Sequence, residues 1–145
     1  MEYVYDLLRE RVLTALAQVK PPEGGGFDTT EWEEKDRKRL MEHLGIQETE
    51  RPGVARLVLR KRFRGIVYAC LLTRSRLYYT GGKKPIELDK LRKVELTGKG
   101  SRASLEVHTS PDYHFLRVPA GRAPYLLAVL EEIQTFRAWI DKLPP

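Results

Sequence analysis

Side chains able to do covalent or metal chemistry are few in this 145-residue chain, and they are scattered along it. His108 and His114 flank a turn, Ser110-Pro111-Asp112, that brings a carboxylate between them. A His-x5-His pair with one nearby carboxylate could coordinate a metal, yet a third strong ligand is not evident. No residue stands at a spacing that supplies it, so an ordinary hairpin is expected and no metal site is assigned. Cys70 lies among Ala69, Leu71 and Leu72, the setting of a buried, inert thiol rather than a nucleophile. The carboxylates crowded into Glu31–Asp36 are accounted for by the first turn of a helix, whose dipole favours negative charge. Gly24-Gly25-Gly26 lacks the lysine and the strand–helix setting of a phosphate loop and reads as a flexible connector. His43 stands alone and is read as decorating a helix. No catalytic constellation emerges, so the chain is read as a non-enzyme without a cofactor. The enzymatic alternative is a hydrolase built on the histidine hairpin.

What does stand out is charge. Residues 1–50 carry 7 basic and 12 acidic side chains, a net of −5, whereas residues 51–145 carry 19 and 8, a net of +11. Halves of opposite sign attract one another or face different partners. Between Arg56 and Arg102 stand 14 lysines and arginines against three acids, Glu87, Asp89 and Glu95. Arg60 and Arg62 share one face of a strand because side chains alternate. Lys61, Phe63 and Arg64 complete the run, and Arg74 and Arg76 on the neighbouring segment are expected close by. Such a patch attracts phosphates, anionic lipid heads or an acidic protein surface.

The elements that must position these residues are well punctuated. Residues 3–19 read as an amphipathic helix, with Tyr5, Leu8, Val12, Leu16 and Val19 at steps of three and four. Its apolar stripe needs cover from the second helix, the strands or a partner. Pro21-Pro22 stops it, and a second helix spans 31–44, with Thr30 and Glu33 as a capping box and Gly45 as its terminator. Seven short strands follow: Leu57–Arg62, Ile66–Thr73, Arg76–Thr80, Pro85–Leu88, Lys93–Leu96, Ser104–His108 and Tyr113–Val118. Strands at this spacing suggest a sandwich or barrel. A last amphipathic helix runs from about Pro124 to Lys142.

Two stretches carry a family likeness. Leu71-Leu72-Thr73-Arg74-Ser75-Arg76-Leu77-Tyr78-Tyr79-Thr80-Gly81 resembles the LLTxxRLxxT signature of bacterial PH and GRAM-like domains. Ile86-Glu87-Leu88-Asp89-Lys90-Leu91-Arg92-Lys93-Val94-Glu95-Leu96 is similar to their IxLxxIxxVEL segment. The resemblance covers residues 54–142 and implies an α+β fold: a PH-like seven-stranded β-barrel or sandwich capped by a C-terminal helix. Here it would be preceded by two N-terminal helices, giving a helical arm over 1–50 and a PH/GRAM-like domain over 54–145. These words are structural, so the resemblance implies a scaffold and transfers no catalytic residue. The run Arg60–Arg64 also resembles the basic first hairpin with which eukaryotic PH domains hold phosphoinositide head groups, although the turn here is shorter.

The expectation is therefore an interaction module that binds an acidic protein surface through Arg60, Lys61, Arg62, Phe63, Arg64, Arg74 and Arg76. It would act as an adaptor or as a small regulatory inhibitor, a phage-encoded one included. The alternative is an electrostatic binder of nucleic acid or anionic membrane lipid. No stretch approaches the roughly 20 apolar residues of a membrane span. The opening Met1–Asp6 lacks the basic and apolar regions of a secretory signal, and one cysteine fits a reducing compartment, so a cytoplasmic location is expected. The absence of asparagine and the excess of arginine over lysine, 16 to 10, lean towards a thermophilic source.

Overall fold

The computed structural model describes residues 2–140 apart from 24, 31, 47–52, 62–64, 100–102, 111 and 120. The helices are α1 (Glu2–Gln18), α2 (Glu34–Leu44) and α3 (Ala123–Ile140). The strands are β1 (Ala55–Lys61), β2 (Gly65–Leu72), β3 (Arg76–Tyr79), β4 (Ile86–Glu87), β5 (Leu91–Thr97), β6 (Ser104–Thr109) and β7 (Tyr113–Leu116). The strands form two antiparallel sheets, ordered β1-β2-β3-β4 and β5-β6-β7. The fold is thus α+β, with a C-terminal helix.

The two sheets face one core. Leu57, Cys70, Leu72, Leu77 and Ile86 of the first sheet meet Leu105, Val107 and Leu116 of the second. Leu126, Val129, Leu130 and Ile133 of α3 close the same core, and Val12, Ala15 and Leu16 of α1 pack with them. Strands β6 and β7 bury alternate residues only, as expected where one face meets the core and the other meets water. Strand β2 differs, because Tyr68 to Leu72 are all buried. Its outer face lies under α2, where Leu40 packs on Ala69 and Leu71 with Trp32, Leu44, Ile46, Val58, Ile66 and Tyr78 around them. The helical arm is therefore docked at two places, α1 on α3 and α2 on the first sheet.

The barrel form of the expected architecture is not what the strands make. Among the described residues no ladder joins the two sheets, and the chain passes from β4 to β5 through a 3-10 turn, Leu88–Lys90. On its side away from β2, β1 is met by the connector: Asp28 and Arg56 exchange backbone hydrogen bonds of 2.7 and 2.9 Å. That position on the edge is taken before a strand of the second sheet can pair there.

Two details of the arm also differ from expectation. Thr30 does not cap α2; its N–H and hydroxyl both donate to Asp28 Oδ1 at 2.9 and 2.7 Å, and the helix starts at Glu34. An aspartate two residues upstream competes successfully for the threonine, as such side chains do in turns. The glycine connector is held in place. The Gly25 carbonyl accepts from Arg122 Nε at 3.2 Å, and a Cβ on Gly26 would lie 2.5 Å from Tyr125 Oη. Glycine permits that close approach. Gly45 does terminate α2, with φ 69°, as Gly45 and Ile46 N–H donate to the Glu42 and Met41 carbonyls.

Candidate interaction surface

The family-like word around Leu71–Gly81 has a direct structural use. Thr73 Oγ1 accepts from the N–H of Arg76 at 2.9 Å and closes the β2–β3 turn. Thr80 Oγ1 accepts from Ala69 N–H at 2.8 Å and also bonds His43 Nε2 at 2.8 Å, tying the last turn of α2 to the end of β3. These threonines set turns and join elements, which is why the residues between them present basic side chains in fixed places.

Arg60 is the penultimate residue of β1, with Nη2 3.9 Å from Asp36 Oδ1 of α2. Both side chains are about half exposed, so a competing carboxylate can reach the guanidinium. The side chain of Lys61, together with Arg62, Phe63 and Arg64, lies outside the described residues. Arg76 donates from Nε to Glu87 Oε1 at 2.9 Å across the β3–β4 pair. Arg74, in the turn before it, is engaged as well.

The expectation that Arg74 and Arg76 lie beside Arg60 fails on register. Arg60 pairs with Ile66 at the start of β2, while Leu77, next to Arg76, pairs with Leu72 at its end. Six residues at about 3.3 Å each separate the two positions by roughly 20 Å. The β1–β2 hairpin and the β2–β3 turn necessarily point to opposite ends of the strand they share.

Arg56 is the basic residue that sequence reading passed over. Its guanidinium lies 3.1 Å from Asp28 Oδ2, donates to the Thr30 carbonyl at 2.9 Å, and stacks 4.2 Å above the Trp32 ring. The signal was present in the opposite charges of the two halves, without any indication of which residues would meet.

The histidines separate. In the β6–β7 hairpin His108 pairs with Tyr113 and Val107 with His114, so the two imidazoles occupy opposite faces. His114 is buried, and its Nδ1 is hydrogen-bonded to Tyr79 Oη at 2.9 Å across the core. Burial pushes its pKa below the ordinary 6.5; nearby Asp112 opposes that shift and Lys84 adds to it. Asp112 closes the turn through its backbone carbonyl, which accepts from Thr109 N–H at 2.8 Å. His108 instead stands on the outer face of the second sheet with Glu95 and Glu106. Cys70 is buried, and burial pushes its thiol up to about 12.

Neither the protein-family models nor the curated proteins compared with this chain match it. Among the described residues, no helix is long and apolar enough to cross a membrane.

Proposed function

We propose that this chain is a non-enzymatic, PH-like interaction module that works in the cytoplasm and binds an acidic protein surface through its Arg60–Arg64 hairpin. The observation that carries this reading is the seating of helix α2 over the first sheet, which sets its Asp36 at Arg60. An exposed guanidinium already facing a carboxylate is chemically suited to exchange it for a partner's carboxylate. Arg62 and Arg64 would extend that contact and Phe63 would add an apolar anchor. Arg74 and Arg76 lie too far along β2 to share it. The 4+3 arrangement of strands, the C-terminal helix over the core and the two family-like words support the PH-like scaffold. An adaptor or a small regulatory inhibitor fits a surface of this kind.

The test compares wild type with an Arg60/Arg62/Arg64→Glu variant as baits. The wild type should retain a partner that the variant loses, and equal recovery refutes the hairpin as the contact. Asp36→Ala should strengthen capture by freeing Arg60. Removing residues 1–50 is a poorer probe, because Val12, Leu16 and Leu40 belong to the packed core. Nucleic-acid binding that falls steeply with salt would replace the protein reading. Binding to vesicles in proportion to their anionic lipid content would replace it with a membrane one.

A further inference from the structure

The outer face of the second sheet gathers chemically active side chains that the arm leaves uncovered. Glu95 of β5 stands directly opposite Glu106 of β6, and His108 is opposite Lys93 in the same ladder. Residues two apart on a strand share a face, so all four side chains project together. Ligand atoms of Glu95, Glu106 and His108 lie within 4.8 Å of one another, and all three residues are half-buried. Like charges placed directly opposite on a sheet repel. Lys93 Nζ, 2.5 Å from Glu95 Oε1, supplies a compensating positive charge. The His108 ring is steadied edge-on by Tyr113, with centroids 5.0 Å apart.

One imidazole and two carboxylates define the class of cation. Calcium and magnesium favour all-oxygen sites and copper(I) favours sulfur, whereas zinc and its neighbours accept mixed nitrogen and oxygen ligands. Two ligands each about 2.1 Å from a tetrahedral zinc ion lie about 3.4 Å apart. From separations within 4.8 Å, each pair of ligand atoms has at most about 1.4 Å to close to reach that spacing, and the side chains stand on paired strands of the β5–β6 ladder.

We propose that Glu95, Glu106 and His108 form a binding site for a divalent transition-metal ion of the zinc class. Water completes the coordination, and Lys93 is the cation that the metal displaces from Glu95. The site is independent of the hairpin contact proposed above.

Calorimetric titration of the full chain with Zn²⁺ at neutral pH tests this, alongside the visible absorption of Co²⁺ as a report on ligand geometry. One equivalent should bind, and His108→Ala or Glu106→Gln should each weaken it by roughly tenfold or more, since loss of even an outer-shell partner costs that much. Lys93→Ala should tighten binding, which a merely structural role for the cluster does not predict. His43→Ala, removing the exposed imidazole of α2, should leave Zn²⁺ binding unchanged. Absence of Zn²⁺ uptake in the micromolar range overturns the proposal. So does binding that survives both His108→Ala and Glu106→Gln, or binding lost with His43→Ala. Circular dichroism of each variant separates lost binding from lost fold.

Discussion

Replacing Leu40 with alanine removes three carbons from beneath α2, at a residue only 1% exposed. At about 0.8 kcal/mol per buried methylene, the transfer cost alone is about 2.4 kcal/mol. The cavity left between Ala69 and Leu71 adds to this, because α2 is pinned by Asp36 to Arg60 and by His43 to Thr80 and has little room to settle. A loss of about 3 kcal/mol is expected, within the range of buried leucine truncations. In a chain of this size, that lowers the melting temperature by roughly 6–12 °C. Urea unfolding followed by circular dichroism should show a lower midpoint with an unchanged slope. Lys38→Ala, on an exposed part of the same helix, should stay within about 0.5 kcal/mol of wild type. A Leu40→Ala loss below about 0.5 kcal/mol would mean that α2 does not cover the sheet. A markedly smaller slope would mean that the arm unfolds separately, and either result refutes the docking argument.

Other consequences are open to direct measurement. His114 takes up a proton less readily when folded, so the stabilisation from its neutral form is fully present above pH 6.5 and is lost as the pH falls through its lower native pKa. Urea titrations across that window should show declining stability in wild type and a flatter profile in His114→Gln. Cys70 should resist alkylation in the native state and react fully in denaturant; rapid native labelling would contradict its burial and raised pKa. Arg56→Ala should cost about 1–2 kcal/mol, because the partly exposed pair with Asp28 is discounted for solvent. Read in a Trp139→Phe background, it should also shift the Trp32 emission to the red; an unchanged spectrum would argue against the stacking.

Much of the fold was legible because its signals are local. The two-residue alternation in Ser104–Thr109 and Tyr113–Leu116, and the three-and-four spacing in the helices, are short-range consequences of which face meets the core. Gly45 ended its helix as expected, while Thr30 did not begin one, since Asp28 offered it a nearer partner. The candidate site was less legible. Arg60 and Arg76 read as neighbours when only strand membership was considered, and register put them at opposite ends of β2. Glu95 and Glu106 drew no notice as a pair, because ten residues, a turn among them, separate them in the sequence. Their meeting follows from the hairpin register, in which Thr97 pairs with Ser104; a turn read as Gly98–Gly100 alone would have set Glu95 opposite Ala103 instead.

The amino-acid sequence by itself determined the order of elements, the inert setting of Cys70 and the split between an acidic arm and a basic body. Those properties depend on local propensity, apolar patterning and charge, which need no knowledge of what lies across the core. Tertiary structure decided that α2 covers the first sheet, that Asp28 meets the edge of β1, and that one histidine turns inward while the other joins two glutamates. Each of these rests on register or on competition between packing surfaces. Such choices are settled by the total area buried and the hydrogen bonds satisfied at once, and no single segment of the chain encodes them.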